Sequence, residues 1–519
     1  MSKLEKGEFS DRPLKVLLVR ARSYQIGKLE HPYHIYPSLT LKYIEALLKA
    51  KEGYQVRLWD CWTDPQPLED LVANTRLWLP DLLVILANPV DAEMAFQYAS
   101  GVKAGGSQAL IVAIGPEVTL SPEKFSVAGS PFDAALPGEA ELEMVSLAER
   151  LRQGLEPEEV RAQSLRFLRE EPEPLLIPDL DDLPFLSYSP EELRRYQFIY
   201  PLRMKKKARW GFILSSRGCP NPCIFCSPIM RKSYGRKVRT RSATHVVDEI
   251  EHLMKLGVTV ISFEDDDLTV DRRHLLSLCQ EIRKRSVKIP WIAHARVDEL
   301  SPPLLRSMRE AGCVLLRLGV ESGSERIIRM LKKDPQAEAS RQGKAGDSNG
   351  GGGAGGNGAG GAGEIFPPLV GPSPANGWRQ KCIAAFQEIR KVGIATNALF
   401  ILGSPGETRE EMEETIRLAH DLRPDMIQVH FFTLYPGSPA YEQFRDRITP
   451  GEIPSLHHYH ITTNLSTIGS QELRQIRSRF YKGFLLRPPF LLEHLYRYGL
   501  FYLRNPEVVR RLWEITRVF

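Results

Sequence analysis

The sequence predicts an α/β protein in which two parallel sheets follow one another along the chain. Short runs rich in Val, Ile and Leu alternate with helix-like segments, and this alternation begins near residue 15 and again near residue 210. The length of 519 residues also exceeds the roughly 250 to 300 at which single cores stop growing. We expect a doubly wound, Rossmann-like domain over 1–155, a linker over 156–208, a (β/α)6 partial barrel over 209–445 and a helical region over 446–519.

Five apolar runs predict the strands of the first domain: KVLLVR, YQVRLW, DLLVIL, ALIVAI and FDAAL. Helix-like segments such as TLKYIEALLKA and EAELEMVSLAERL lie between or after them, as in a flavodoxin-like or Rossmann-like sheet covered on both faces. Ligands of such sheets bind beyond the carboxyl ends of the strands. The expected contact loops are therefore ANP at 87–89, GPE at 115–117 and PGEAE at 137–141.

A passage rich in proline and acidic residues then predicts the linker, before six further apolar runs. These are WGFILSS, VTVISFE, IPWIAHA, CVLLRLG, ATNALFILG and DMIQVHFFTL. Six strands with helices between them indicate an open version of the parallel α/β barrel, whose functional residues gather at strand ends.

A glycine-rich stretch interrupts the barrel, and we place the flexible insertion at 335–377. A phosphate-binding loop is the functional alternative for so many glycines. No strand leads into this stretch and no Lys-Ser or Lys-Thr pair closes it, so that alternative is set aside.

Composition and charge exclude several classes of protein. A net charge of +5 on so large a chain does not predict nucleic-acid binding. The start lacks the apolar core of a signal peptide, and no apolar run approaches the length of a membrane span, so we expect a cytoplasmic protein. Seven cysteines, an odd number, predict reduced thiols rather than a disulfide framework.

Three of those cysteines, Cys219, Cys223 and Cys226, lie within the segment SSRGCPNPCIFCSP. A structural zinc site normally has four ligands, and no second pair of cysteines is evident elsewhere. The other alternative is that the three cysteines are core residues without a shared function, but a loop rich in Pro and Gly is a poor place to bury thiols. We favour an iron-sulfur cluster, in which three thiolates leave one iron open.

The CxxxCxxC spacing after the first barrel strand, with Phe225 before the last cysteine, resembles the radical S-adenosylmethionine (SAM) superfamily. Further resemblance lies in ISFEDDDLT, HARVDEL, LGVESGSERIIRML, FILGSPGETREE and TLYPGSPAY. The resemblance implies a [4Fe-4S] cluster on the three cysteines, with SAM on its open iron. An electron from a reductase, flavodoxin or ferredoxin then splits SAM to give a 5′-deoxyadenosyl radical.

The resemblance also implies which residues bind SAM. They are Phe225 near the adenine, Asp265 at the methionine amino group, Arg296 at a carboxylate or the ribose, Glu321 and Ser322 at the ribose, and Gly403 and Pro405 near the adenine. Glu264 and Asp266 are rivals of Asp265. The catalytic residues that act on the substrate are not identified by any motif.

A doubly wound domain before the cysteine domain resembles the cobalamin-binding subclass of that superfamily. The implied cobalamin contacts are Asn88, Gly115, Pro116, Glu117, Gly138 and Glu139. The DxHxxG run by which many cobalamin domains supply a histidine to cobalt is missing, so the resemblance implies a lower cobalamin face without a histidine ligand. The alternative is a fold that has lost the cofactor. Methylthiotransferases are excluded, because they carry three further cysteines where this domain offers only Cys61.

The function that follows is methylation of an unreactive carbon or phosphorus centre in a small substrate, such as a lipid or tetrapyrrole. One SAM methylates cob(I)alamin to methylcobalamin and a second yields the radical that abstracts hydrogen. A radical cyclase without methyl transfer is the alternative enzyme, and a cobalamin or redox sensor is the alternative of another class. The aromatic and basic tail after residue 480 either packs on the barrel or forms an apolar wall or peripheral membrane contact.

Overall fold

The computed structural model describes residues 12–21, 34–64, 66–89, 91–155, 158–160, 174–198, 200–202, 207–226, 233–334, 377–448, 461–506 and 509. It contains two parallel sheets in sequence order and a helical region at the carboxyl end, which confirms the predicted fold class. The predicted glycine-rich insertion lies outside the described residues except for Gly377.

The first sheet has five parallel strands in the flavodoxin-like order β2-β1-β3-β4-β5. Its strands are β1 Leu14–Arg20, β2 Tyr54–Asp60, β3 Leu82–Leu86, β4 Leu110–Ile114 and β5 Ala134–Leu136. The helices are α1 Leu39–Lys49, α2 Leu68–Trp78, α3 Ala92–Ala104, α4 Pro116–Leu120, α5 Glu123–Ser126 and α6 Glu141–Arg152. Alternate side chains of the strands enter two separate apolar clusters, one on each face. The strand order reverses between β1 and β3, so the ligand crevice of this domain is expected beyond their carboxyl ends.

The second sheet has six parallel strands in sequential order. These are β6 Trp210–Ile213, β7 Val260–Phe263, β8 Trp291–Ala295, β9 Cys313–Glu321, β10 Ala395–Leu402 and β11 Met426–Phe431. The connecting helices follow a short α7 at Glu192–Arg195 and are α8 Ala243–Lys255, α9 Arg272–Lys284, α10 Pro302–Glu310, α11 Glu325–Met330, α12 Trp378–Val392, α13 Arg409–Leu422 and α14 Pro439–Phe444. Repeated strand-helix units in this order place all six carboxyl ends on one rim.

The interval predicted as a linker contributes to the core. Within residues 174–202, apolar side chains such as Leu186, Tyr188 and Phe198 are buried in the same cluster as the second sheet. Gln197–Phe198 also pairs with His34–Ile35 in a two-stranded antiparallel ribbon. This segment therefore ties the first domain to the barrel.

Two long helices complete the described chain, α15 Ser470–Leu485 and α16 Pro488–Arg504. The Tyr481 hydroxyl accepts a 2.8 Å hydrogen bond from the Val429 amide of edge strand β11, so α15 covers that edge. The Tyr498 hydroxyl donates a 2.7 Å bond to Asp425, just before β11, which places α16 at the amino end of the sheet. Within the described ranges, no helix is both long and apolar enough to cross a membrane.

Candidate functional site

The cysteine loop follows β6 and lies across the carboxyl rim of the second sheet. Its Ile224 amide donates a 3.1 Å hydrogen bond to the Leu331 carbonyl, and its Ile224 carbonyl accepts a 3.2 Å bond from the Ala440 amide. Ile224 is buried in a small apolar cluster with Ile401 and Phe432, against which Phe225 packs. The loop is therefore fixed to three other parts of the rim.

Two of the three motif cysteines are more exposed than the other cysteines of the chain. Cys219 and Cys226 are partly exposed and Cys223 is buried, whereas Cys61, Cys279, Cys313 and Cys382 are all buried, and none of the seven forms a disulfide. Burial raises the pKa of the Cys279 thiol to about 12, so that thiol is inert. Among the seven cysteines, only Cys219 and Cys226 thus combine a loop position with access.

The sulfur atoms of this loop already contact polar groups. The Asn221 amide nitrogen Nδ2 donates to Cys219 Sγ at 3.6 Å, and Arg296 Nη1 donates to Cys223 Sγ at 3.8 Å. In the part of the chain that the structure describes, no three His, Cys, Asp or Glu side chains converge on one point as a single metal ion requires. A zinc site needs that convergence, whereas a four-iron cluster takes each thiolate on a different iron, so the loop fits the cluster better.

Asp265 lies at the end of β7 with its carboxylate bound to the end of β6. It accepts hydrogen bonds from the Ser215 amide at 3.1 Å, the Ser215 hydroxyl at 2.8 Å and the Ser216 hydroxyl at 2.5 Å. His274 Nε2 in turn lies 3.0 Å from the Ser215 hydroxyl. Much of the hydrogen-bonding capacity of Asp265 is therefore used within the protein.

Its two rivals differ. Glu264 pairs with Arg317 at 3.3 Å, whereas Oδ2 of Asp266 is buried without a hydrogen-bond partner among the described residues. Burial, together with the charges of Asp265 and Asp267, raises the pKa of Asp266 to about 7. A buried carboxyl oxygen without a partner is costly and suits a cationic ligand group. The assignment of the amino group to Asp265 stays a prediction, and the geometry favours Asp266.

Arg296, at the end of β8, connects the third strand to the cysteine loop. Its guanidinium donates to Asp298 at 2.8 Å and to the Lys333 carbonyl at 2.6 Å, in addition to Cys223. Burial alone would lower the pKa of Arg296, but Asp298 and Cys223 raise it above its usual range. Arg296 therefore presents a permanent positive charge beside a cluster thiol.

Glu321 ends β9 in the left-handed region, with a φ of 66°. Its carboxylate forms a buried 2.9 Å ion pair with Lys333, and a Cβ at Gly319 would lie 2.3 Å from Glu321 Oε1. A side chain at 319 would thus displace this pair. Backbone held in such a region is typical of functional sites, where the surrounding structure must maintain it.

Ser322 points away from the rim contact expected for it. Its hydroxyl lies 3.1 Å from the Thr415 hydroxyl of α13 and accepts a 3.1 Å hydrogen bond from the Ser324 amide. Ser322 therefore holds α11 and α13 together. Its role at the ribose stays a prediction.

The turn after β10 contains Gly403 and Pro405. Gly403 takes a φ of 84°, and a Cβ there would lie 2.8 Å from Leu473 of α15. The Gly403 and Ser404 amides donate to Glu407 Oε2 at 2.7 Å and 3.0 Å. Burial raises the pKa of Glu407 to about 8, so this carboxyl holds the turn from behind in its protonated form at neutral pH.

In the first domain, the predicted contact loops follow β3, β4 and β5. Gly115 takes a φ of 103° and Pro116 begins α4, while Glu117 is buried and pairs with Lys124. Asn88 is partly buried in the turn after β3. These loops contain no histidine, so their donor set fits a cofactor held without a histidine ligand.

The third of these loops binds the barrel domain. Gly138 packs so closely against the segment 174–198 that a Cβ on Gly138 would lie 2.4 Å from the Leu175 carbonyl oxygen. Glu139 accepts a 2.8 Å bond from Arg239 and a 2.6 Å bond from the Ile177 amide. Cobalamin binding by these two residues stays a prediction, with the Glu139 carboxylate already engaged.

The ion pair of Glu139 with Arg239 has a second buried ion pair beside it, formed by Glu141 and Arg217. Glu141 accepts a 2.7 Å bond from Arg217, and both side chains are at most 2% exposed. Arg217 lies two residues before Cys219, so the carboxyl end of β5 meets the cysteine loop. The two predicted cofactor regions therefore adjoin each other.

Several of these residues carry no functional signal in the sequence. Arg217 and Glu141 occur within motifs that were identified, SSRGC and PGEAE, but as charges with no named partner. Lys333 and Glu407 carried no separate signal beyond standing near Glu321 and Gly403. Each becomes visible only when distant segments pack together.

The family model described as the radical SAM superfamily matches residues 213–342. An uncharacterized methyltransferase of Pyrococcus horikoshii is 26% identical over 484 residues, covering 90% of this chain and 92% of the relative. Anaerobic magnesium-protoporphyrin IX monomethyl ester cyclase of Rubrivivax gelatinosus is 26% identical over 322 residues, covering 60% of this chain and 48% of the relative.

The fold is similar to that of TsrM from Kitasatospora setae, a radical SAM methyltransferase solved with cobalamin and a [4Fe-4S] cluster bound. The TM-score is 0.54 at 16% sequence identity, and the match covers 85% of this chain and 80% of that one. The similarity includes both sheets, since it extends over most of each chain.

Proposed function

We propose that the chain is a radical SAM protein and a cobalamin-dependent methyltransferase. The proposal is supported by the family model that matches residues 213–342 and by a fold similar to that of a radical SAM methyltransferase solved with cobalamin bound. Its substrate is a small molecule with an unreactive carbon or phosphorus centre. The observation that carries the proposal is the contact of the first domain with the cysteine loop, through Glu141 and Arg217. The loop after β5 thereby meets the cysteine loop at the carboxyl rim of the second sheet.

The chain's own residues divide the work of binding. Cys219, Cys223 and Cys226 would hold the cluster, and the Asp266 carboxyl would accept a hydrogen bond from the amino group of SAM. When bound, the cluster and SAM supply the 5′-deoxyadenosyl radical and cobalamin supplies a transferable methyl group.

Positioning falls to the residues around these ligands. Arg296 donates a hydrogen bond to the Cys223 sulfur and so orients this side chain. The ion pair of Glu321 with Lys333 keeps the end of β9 in its left-handed conformation. Glu407 accepts hydrogen bonds from the Gly403 and Ser404 amides and so holds this turn in one conformation, in which its backbone would contact SAM.

The test uses anaerobically reconstituted protein with hydroxocobalamin, a chemical reductant and SAM labelled in its methyl group. We expect label on the protein-bound corrinoid and, separately, release of 5′-deoxyadenosine. Absence of label from the corrinoid, with 5′-deoxyadenosine still released, would contradict methyl transfer.

Release of 5′-deoxyadenosine without label on the corrinoid would favour the alternative enzyme, a radical cyclase without methyl transfer. The observation in its favour is the similarity to the magnesium-protoporphyrin ester cyclase, which extends over 60% of this chain. A cobalamin or redox sensor would release no 5′-deoxyadenosine, because it has no use for the SAM-binding rim.

The expected partners follow from the reaction. A reductase, flavodoxin or ferredoxin supplies the electron, and no nucleic acid takes part. A hydrophobic substrate such as a tetrapyrrole or lipid is the class we propose, since one relative is named for a porphyrin substrate. Cytoplasmic location stays the expectation of the sequence.

A further inference from the structure

Helix α16 carries a large apolar surface that no described part of the chain covers. Leucine and tyrosine side chains along it are between 48% and 91% exposed, at positions Leu491, Leu492, Leu495, Tyr496, Leu500 and Leu503. Isolated exposed leucines are ordinary on protein surfaces, but six on one helix form a patch.

These six positions share one side of the helix. At 100° per residue they fall within a continuous half of its circumference. The other half contains Tyr498 and Phe501, each 3% exposed, which pack into the core of the barrel. The helix therefore has two apolar faces, of which only one has a partner among the described residues.

The buried half fixes α16 firmly. Besides the bond from Tyr498, Arg497 forms a 3.2 Å ion pair with Asp425. Within the helix, His494 lies 2.5 Å from the Tyr502 hydroxyl. Burial lowers the pKa of His494 to about 4, so this histidine is neutral and adds no charge at physiological pH. The apolar surface is thus presented by a helix anchored to the protein.

Positive charge is concentrated in α15 and α16. Residues 470–504 contain seven Lys or Arg and two Asp or Glu side chains, a net charge of +5. The whole chain also has a net charge of +5, so the remaining residues are neutral on balance. The exposed apolar face is therefore set within the basic part of the molecule.

We propose that α16 lies on an anionic membrane surface, with its exposed leucines in the lipid boundary and the basic side chains near the headgroups. An exposed apolar face flanked by aromatic and basic residues has the chemistry that such a surface binds. A second copy of this chain fits less well, because two copies of α16 would bring two positively charged regions together.

The location of α16 separates this contact from the reaction. Tyr498 and Arg497 bind Asp425 at the amino end of β11, whereas the cysteine loop lies at the carboxyl rim. The helix is therefore no wall of the substrate space, and membrane attachment leaves the rim accessible. The proposal goes beyond the methyltransferase assignment and does not depend on it.

The test measures co-sedimentation of the full chain with vesicles of phosphatidylcholine, with and without phosphatidylglycerol. We expect binding to the anionic vesicles, weaker at raised salt. Leu495→Glu with Leu500→Glu should weaken it by roughly tenfold or more for each leucine. Replacing the exposed Lys482 and Arg504 by Gln should weaken it about fivefold for each charge.

The matched control replaces two exposed leucines of the first domain, Leu77→Glu with Leu79→Glu, which are 82% and 67% exposed. This control should bind like the wild type. Equal binding to neutral vesicles, no binding at low salt, or equal loss in the control each overturns the proposal. So does a wild-type dimer that the α16 variant makes monomeric without any vesicle binding, because the face then joins two copies. Release of 5′-deoxyadenosine should be unchanged in the α16 variants.

Discussion

The buried ion pair between Glu141 and Arg217 allows a sharp test of how the two domains are held together. We consider Glu141→Gln, which keeps the shape of the side chain but removes its charge. Both partners are at most 2% exposed and their nearest atoms are 2.7 Å apart. The change leaves the Arg217 guanidinium buried, with only Glu139 at 3.5 Å as a charged partner in the same cluster.

The expected cost follows from that geometry. Breaking one side of a buried pair destabilises a protein by about 3 to 5 kcal/mol, and we expect about 3 kcal/mol because Glu139 compensates in part. For a domain of this size, 1 kcal/mol shifts the melting temperature by about 2 to 4 °C. Glu141→Gln should therefore lower Tm by about 6 to 12 °C in thermal unfolding of the full chain.

The same helix provides the control. Glu149 of α6 pairs with Lys51 at the surface, with side chains 39% and 45% exposed. Exposed pairs contribute about 0 to 1 kcal/mol, so Glu149→Gln should lower Tm by no more than about 4 °C. A double-mutant cycle of Glu141→Gln with Arg217→Gln should show coupling above about 1 kcal/mol. Equal Tm shifts for both single variants, or no coupling, would refute the role of this pair.

Three further predictions concern the cofactor, the insertion and the rim. Electron paramagnetic resonance of cob(II)alamin-loaded protein should show no nitrogen hyperfine splitting from a lower ligand, because the contact loops contain no histidine; such splitting would contradict the assignment. Deleting 340–363 should leave cluster content and 5′-deoxyadenosine release nearly unchanged, since the buried ion pair of Asp334 with Lys381 fixes the segments on either side; a large loss would make the insertion functional. Glu407 has its pKa raised by burial from 4.5 to about 8, so the stability that its protonated form contributes is lost as pH rises through that range. Glu407→Gln should therefore flatten the fall of Tm between about pH 5 and pH 8, and an unchanged slope would count against this assignment.

The strands of both sheets could be predicted from sequence because buried parallel strands are nearly continuous apolar runs. The run CVLLRLG, for example, was predicted to begin a strand at Cys313, and β9 begins there. The cysteine spacing resembles that of the radical SAM superfamily, and the family model of that description matches residues 213–342.

The interactions between segments could not be predicted in the same way. Glu139 and Arg239 are 100 residues apart, and no local pattern shows that they meet. Within EDDD, sequence gives four adjacent carboxylates, and only the fold shows that Asp265 binds Ser215 while Asp266 keeps an unpartnered oxygen. For the tail, sequence left packing and membrane contact as alternatives. Helix α15 is observed to cover the edge of the sheet, whereas membrane contact by the exposed face of α16 stays a prediction.

The central claim is that the cysteine loop holds a cluster that cleaves SAM. The most direct measurement is 5′-deoxyadenosine release by anaerobically reconstituted protein with SAM and a reductant, alongside its iron content and absorbance. We predict four irons per chain and release of 5′-deoxyadenosine by the wild type, and loss of both when Cys219, Cys223 and Cys226 are all replaced by Ala, with Cys279→Ala as the unaffected control. Full cluster content or undiminished SAM cleavage in the triple variant would contradict the account.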